Sequence, residues 1–115
     1  MSLAGVVDLK EADRLALGSD ATARFLGGHW EQQEERYRCS SPRVLLPIGV
    51  PQVLVHGTND TVVPPAMSEN YEIEATRHGD AARYIPVEGV GHRELIDPQG
   101  IGWAIAAAEL QHLIG

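Results

Sequence analysis

Apolar residues fall in three short runs that are typical of buried strands. These runs cover residues 2–7, 52–56 and 82–87, and glycine, proline or aspartate lies within two residues of at least one end of each run. Short runs rich in β-branched residues and closed by turn residues predict strands. The third run contains Pro86, which predicts an outer strand because proline has no N–H to donate to a neighbouring strand.

Between the strands the apolar positions change to helical spacing. Residues 11–17, 21–26, 66–78 and 100–114 are predicted helices, and residues 31–38 read as a polar helix or an ordered loop. The last helix is expected to turn its inner face to the sheet through Ile101, Ile105, Ala108 and Leu113. This alternation predicts an α/β fold with about three parallel strands flanked by helices, in a single domain over residues 1–115.

The net charge and the composition argue against two kinds of binding partner. The formal net charge is −7 and no basic stripe is present, so we expect no nucleic-acid partner. No apolar run approaches the roughly 20 residues that span a bilayer, so no membrane partner is expected either. The single cysteine, Cys39, cannot form an internal disulfide, and a reducing, cytoplasmic location is the simpler prediction.

Two ionisable residues follow predicted strands at the point where each strand ends. Asp60 follows the run 52–56, and His92 follows the run 82–87. Open α/β sheets bind their ligands beyond the carboxyl ends of the strands, and an acid with a histidine makes two thirds of a nucleophile–base–acid triad. Each residue also has a structural alternative, Asp60 as a turn-forming acid and His92 as a loop histidine.

The sequences around these two residues resemble a known family. His56-Gly-Thr-Asn-Asp60-Thr-Val-Val-Pro64 and Gly91-His92-Arg-Glu-Leu-Ile-Asp-Pro98 are similar to the C-terminal half of an α/β-hydrolase. The nearest branch looks like the small esterases and the prolyl-oligopeptidase-like and arylformamidase-like hydrolases. The resemblance implies a partial hydrolase fold that contains the last three strands of the family sheet, with Asp60 as the triad acid and His92 as the general base.

The sequence also departs from that family. The family places its serine on a Gly-x-Ser-x-Gly elbow ahead of the acid and the histidine, and no such elbow occurs here. The oxyanion loop of the His-Gly-Gly type is missing as well, and Arg93 stands where an aromatic residue is common. We therefore expect the chain alone to be inactive.

Other chemistry-bearing residues have plainer interpretations. His56 is expected to be structural, and a metal site from His56, Asp60 and His92 lacks any recognisable ligand spacing, so neither a metal nor another cofactor is predicted. Cys39 is predicted to be a small buried side chain. Three serines are assigned to turns or helix caps: Ser40, Ser41 and Ser68. Three histidines are assigned to the surface: His29, His78 and His112. The tryptophans Trp30 and Trp103 are predicted to be packing anchors.

Two functions remain open from the sequence. The first is the acid-and-histidine portion of a serine hydrolase that acts on small esters, amides or short peptides when an N-terminal half completes it. The second is a non-catalytic, truncated module derived from a hydrolase. A strand at the start of the chain leaves a sheet edge without a neighbour, which favours pairing between chains, so a homo-oligomer is expected.

Overall fold

The three predicted strands form one parallel sheet in the order β1-β2-β3. They are seen in a computed structural model that describes residues 1–115, with β1 at Ser2–Leu3, β2 at Gln52–Gly57 and β3 at Ala82–Val87. In register, Leu54 of β2 lies beside Ser2 on one side and Tyr84 on the other. The predicted α/β class and the parallel sheet flanked by helices are confirmed.

Helices cover both faces of the sheet. They are α1 (Leu9–Arg14), α2 (Leu17–Leu26), α3 (Glu34–Ser40), α4 (Pro65–Arg77) and α5 (Ile101–Ile114). Because side chains of a strand alternate between faces, Leu54 packs in the core layer with Met67 and Tyr71 of α4. Val53 and Val55 pack in the opposite layer with Ala106 of α5. The helix α4 makes the crossover between the parallel neighbours β2 and β3.

β2 is more deeply buried than β3, and their positions in the sheet explain this difference. Residues 53–57 of β2 are all buried, as expected for a central strand between two helical layers. Pro86 lies in β3, which has a neighbour on one side only, so the prediction of an outer strand is confirmed.

The first strand is much shorter than predicted. Pairing stops after Leu3, because Ala4 adopts a left-handed backbone conformation with φ +49°, although its N–H still reaches Val55 O at 2.9 Å. The chain then turns away, and Asp8 caps α1 by accepting the Glu11 N–H at 3.1 Å. Residues 4–7 therefore leave the sheet, and the outer edge of β1 has no neighbour.

Several side chains lie elsewhere than predicted. Cys39 is exposed on α3, because the buried residue of that helix is Tyr37. Trp103 is 41% exposed, so it is not a packing anchor. In α5 the buried residues are Gly102 and Ala106, whereas Ile101 and Ala108 of the predicted inner face are exposed. None of the helices is both long and apolar enough to cross a membrane.

Candidate active site

Asp60 lies in a tight turn beyond the carboxyl end of β2. Its Oδ1 accepts the backbone N–H groups of Val62 and Val63, both at 2.8 Å, and its side chain is fully buried. A short acidic side chain that accepts an N–H two residues on is a common way to form such a turn. The sequence Asp-Thr-Val-Val thus folds around its own carboxylate and leaves Oδ2 for other partners.

His92 is brought to that second oxygen by the loop after β3. Its Nδ1 lies 2.7 Å from Asp60 Oδ2, across 32 residues of sequence. The His92 side chain is 34% exposed, and its Nε2 makes no hydrogen bond within the chain. The structure therefore brings the two predicted site residues together, with one ring nitrogen on the acid and the other available.

The two loops are joined by backbone and side-chain hydrogen bonds. Thr58 N–H donates to Val87 O and Asn59 N–H to Val90 O, both at 3.0 Å. The Gly89 N–H in turn donates to Thr58 Oγ1 at 2.8 Å. These bonds run alongside the Asp60–His92 contact, so they set the distance between the acid and the histidine.

Opposing effects act on the Asp60 carboxyl, and the net result is a lowered pKa. Burial alone disfavours the charged form and raises the pKa. The N–H groups of Val63 and Val62, together with hydrogen bonding and charge attraction from His92, favour the carboxylate and outweigh burial. Asp60 is therefore ionised at neutral pH.

Behind Asp60 lies a second histidine that the sequence assigned to structure alone. His56 is fully buried, and its Nε2 lies 2.9 Å from Val63 O and 3.1 Å from Asp60 Oδ2. Its Nδ1 lies 2.7 Å from the hydroxyl of Ser68, which is also fully buried. The assignment of Ser68 to a turn or cap is wrong, because it sits inside α4 on the face that carries Met67, Tyr71 and Ala75.

The helical spacing of α4 could have predicted that Ser68 is buried. Position 68 precedes Tyr71 by three residues and Ala75 by seven, so it falls on the apolar stripe of α4. A hydroxyl on such a stripe needs a buried hydrogen-bond partner. His56 is the partner that the fold supplies.

The surroundings of His92 form an open depression without a serine. It is lined by the acid loop and the histidine loop, including Thr61, Val62, Gly91, Arg93 and Glu94. Ser41 accepts the Leu9 N–H at 3.0 Å, so it has a capping role remote from the site. No serine of the chain hydrogen-bonds to His92.

The lone thiol offers no substitute nucleophile. Cys39 lies 3.5 Å from Glu35 Oε1, and that hydrogen bond and the nearby negative charge raise the pKa of the Cys39 thiol. A raised pKa disfavours the thiolate, which is the reactive form.

The residues also offer no evident metal site. No group of three or more histidine, cysteine, aspartate or glutamate side chains is arranged to hold a metal ion. Near Asp60, Nδ1 of His92 hydrogen-bonds to Oδ2, whereas Nε2 of His56 lies 3.1 Å from the same oxygen and hydrogen-bonds to Val63 O.

Comparison with known proteins finds similar structures among esterases. No protein-family model matches the sequence, and no curated protein is a significant match. Among solved structures, esterase 2 of Thermogutta terrifontis in its native form superposes with a TM-score of 0.57 at 21% identity, over 71% of this chain and 32% of that chain. Its propionate-bound form gives 0.56 at 24% identity, over 74% and 35%.

A further esterase, PE8, is 31% identical over 56% of this chain and 28% of that chain, with a TM-score of 0.47. The chain thus spans about a third of the length of the esterases it matches. The two T. terrifontis esterase 2 matches confirm the resemblance to a partial α/β-hydrolase fold. The catalytic roles of Asp60 and His92 stay predictions.

Proposed function

Because the chain has part of the α/β-hydrolase fold, we propose that it supplies the acid and the base of a serine hydrolase. The observation that carries this proposal is the 2.7 Å contact between His92 Nδ1 and Asp60 Oδ2, with Nε2 free in an open depression. The nucleophilic serine would come from residues outside these 115. The substrates would be small esters, amides or short peptides.

The geometry suits each step of acyl transfer. His92 Nε2 would take the proton of the serine hydroxyl while the serine oxygen attacks the acyl carbon. The same proton then passes to the leaving alcohol or amine, and a water molecule repeats the sequence to release the acid. Asp60 would hold the proton of His92 on Nδ1 and stabilise the imidazolium, which keeps Nε2 as the acceptor.

The first test is chemical labelling of the chain by itself. We expect a fluorophosphonate to leave the intact mass unchanged, because no serine contacts His92. A stoichiometric adduct on one of the existing serines would overturn the assignment of the nucleophile to another segment.

The second test restores the missing part. The chain is co-expressed with a segment that carries a Gly-x-Ser-x-Gly elbow, taken from any coding sequence in frame upstream of Met1 or from T. terrifontis esterase 2. The latter was solved with propionate bound, so p-nitrophenyl propionate is a reasonable probe. We expect turnover that His92→Gln or Asp60→Asn lowers by several powers of ten.

The chain contains a matched control for those substitutions. His29 Nδ1 lies 2.8 Å from Asp13 Oδ1, a similarly short contact between an exposed histidine and an aspartate whose side chain is 7% exposed. This pair joins α1 to the turn after α2 and is far along the chain from the site. His29→Gln should leave turnover unchanged, and equal losses in both histidine variants would argue against a catalytic dyad.

A second candidate function is a non-catalytic module that self-associates. The observation that favours it is the unpaired edge of β1, together with exposed apolar side chains that include Phe25, Val50 and Ile114. An open sheet edge is a template for pairing with another chain. Light scattering at micromolar concentration should then show a dimer or larger assembly, and a monomer would refute this candidate.

A further inference from the structure

His56 makes buried contacts with Ser68 and Asp60 behind the partly exposed His92. Its Nδ1 hydrogen-bonds to the Ser68 hydroxyl, and its Nε2 hydrogen-bonds to Val63 O while lying close to Asp60 Oδ2. The side chains of His56, Ser68 and Asp60 are shielded from solvent, and these contacts are between 2.7 and 3.1 Å. We infer that His56, held in one tautomer by Ser68, is a positioning residue that orients Asp60 toward His92. The orientation of Asp60 toward His92 does not depend on the proposed function. Only the catalytic use of that orientation rests on it.

The partners of His56 determine where its proton lies. Val63 O is a carbonyl oxygen and can only accept, so the Nε2 that contacts it must carry hydrogen. A neutral imidazole then has a bare Nδ1 that can only accept. The Ser68 hydroxyl at 2.7 Å must therefore donate to Nδ1, and every polar atom of the ring is satisfied.

The same tautomer places an N–H group of His56 beside the Asp60 carboxylate. A carboxylate has about four acceptor sites. Two on Oδ1 are taken by the N–H groups of Val62 and Val63, and Oδ2 faces the Nδ1 of His92 and the Nε2 of His56. Three of these contacts are hydrogen bonds, and Nε2 of His56 lies 3.1 Å from the same Oδ2, so the partial positive charge of its N–H group opposes rotation of Oδ2 away from His92.

A purely structural role makes a different prediction. If His56 only tied the turn through Val63 O, its removal would weaken folding without changing the hydrogen bond between His92 and Asp60. The 3.1 Å approach to Oδ2 distinguishes the two roles, because it links His56 to the same oxygen that His92 uses.

The first experiment measures the tautomer directly in the full chain. Long-range ¹H–¹⁵N correlation of protein labelled with ¹⁵N-histidine separates protonated from bare ring nitrogens. We expect a protonated Nε2 and a bare Nδ1 for His56. A proton on Nδ1 with a bare Nε2 would overturn the inference.

The second experiment compares two substitutions of His56. The amide nitrogen of glutamine reaches about as far as Nε2, whereas that of asparagine reaches only about as far as Nδ1. His56→Gln should keep a donor near Asp60, and His56→Asn should lose it. We expect the Nδ1 proton of His92 to exchange with water about tenfold faster in His56→Asn than in His56→Gln, the ratio that loss of one typical hydrogen bond represents.

Ser68→Ala keeps the inference testable should His56→Asn fail to fold. Alanine suits a helix and removes only the hydroxyl that locks the tautomer. We expect the His56 nitrogen resonances to lose their single-tautomer pattern and the His92 proton to exchange faster. An unchanged His92 proton in folded Ser68→Ala and His56→Asn proteins would refute a positioning role.

These measurements fail independently of the proposed function. They need no serine, so the chain alone suffices. If the histidine signals are as expected but the reconstituted enzyme shows no turnover, the result counts against hydrolysis only. Full turnover and normal signals in His56→Asn would count against positioning only, whereas a fall in kcat of about tenfold or more at constant KM supports it.

Discussion

Gly57 lies against the carbonyl group of Val90, so closely that a Cβ on Gly57 would meet Val90 O at 2.0 Å. Gly57 is the last residue of β2, and Val90 is in the turn that leads to His92. The requirement for glycine here is a close approach of two backbones. This contact brings the acid loop and the histidine loop side by side.

Gly57→Ala should therefore separate the two loops. We expect the free energy of unfolding to fall by about 1–3 kcal/mol through overpacking, with loss of the protected His92 Nδ1 proton in NMR spectra. Gly79→Ala is the control, because Gly79 has φ +90° but nothing within 4 Å of an added Cβ. It should cost about 1–2 kcal/mol by backbone strain and leave the His92 proton unchanged. A normal His92 signal in Gly57→Ala would contradict the prediction.

Leu95 is expected to anchor the histidine loop. It is 1% exposed, lies three residues after His92 and packs against Gly102 of α5. Leu95→Ala should lower the free energy of unfolding by about 2–5 kcal/mol, measured by urea denaturation. The neighbouring Ile96 is 59% exposed, so Ile96→Ala should change it by less than about 0.5 kcal/mol. Equal effects of the two substitutions would mean that the loop is not anchored through Leu95.

Asp60 should make part of the stability depend on acid pH. Its pKa is lowered in the folded chain, so its contribution is complete above the unfolded pKa of about 3.9 and is lost as pH falls through the folded value. Urea unfolding of the wild type should weaken below about pH 4, and Asp60→Asn should lack this component.

At neutral pH Asp60→Asn should be less stable by about 1–3 kcal/mol, because an amide cannot accept from all the donors around it. The control is Glu69→Gln, which alters an exposed carboxyl group on α4. Glu69→Gln should keep the acid dependence of the wild type. Retention of the full acid dependence in Asp60→Asn would assign it to other carboxyl groups.

Tyr37 should stabilise the helical layer through its hydroxyl. The side chain is fully buried, and the hydroxyl donates to Gly28 O at 2.9 Å. Tyr37→Phe should lower the free energy of unfolding by about 0.5–1.5 kcal/mol. Tyr84→Phe, which removes a hydroxyl without a hydrogen bond in the chain, should have a smaller effect, and the reverse order would contradict the prediction.

Tyr37 also provides an alkaline test. Burial, with the nearby Asp13 carboxylate, raises the pKa of Tyr37 to about 12. A raised pKa means that folding favours the neutral phenol, so this contribution is present below about pH 10 and is lost as pH rises toward 12. Loss of stability over this range should be smaller in Tyr37→Phe than in the wild type.

Local pattern alone predicted β2, β3 and the positions of the two candidate site residues. The runs that form β2 and β3 are short and β-branched, and Pro86 marks the outer strand. Asp60 and His92 were identified from their positions after those strands. Such features depend on residues close in sequence, where periodicity and turn chemistry are strong signals.

Tertiary structure decided what depends on distant partners. The bend at Ala4 shortened β1, and the packing of Gly102 against Leu95 chose the inner face of α5. The pairing of His56 with Ser68 and Asp60 depends on where the crossover helix α4 docks. A hydrogen bond or a close contact between loops depends on how distant segments pack in three dimensions. The spacing of residues along the chain does not determine that packing by itself.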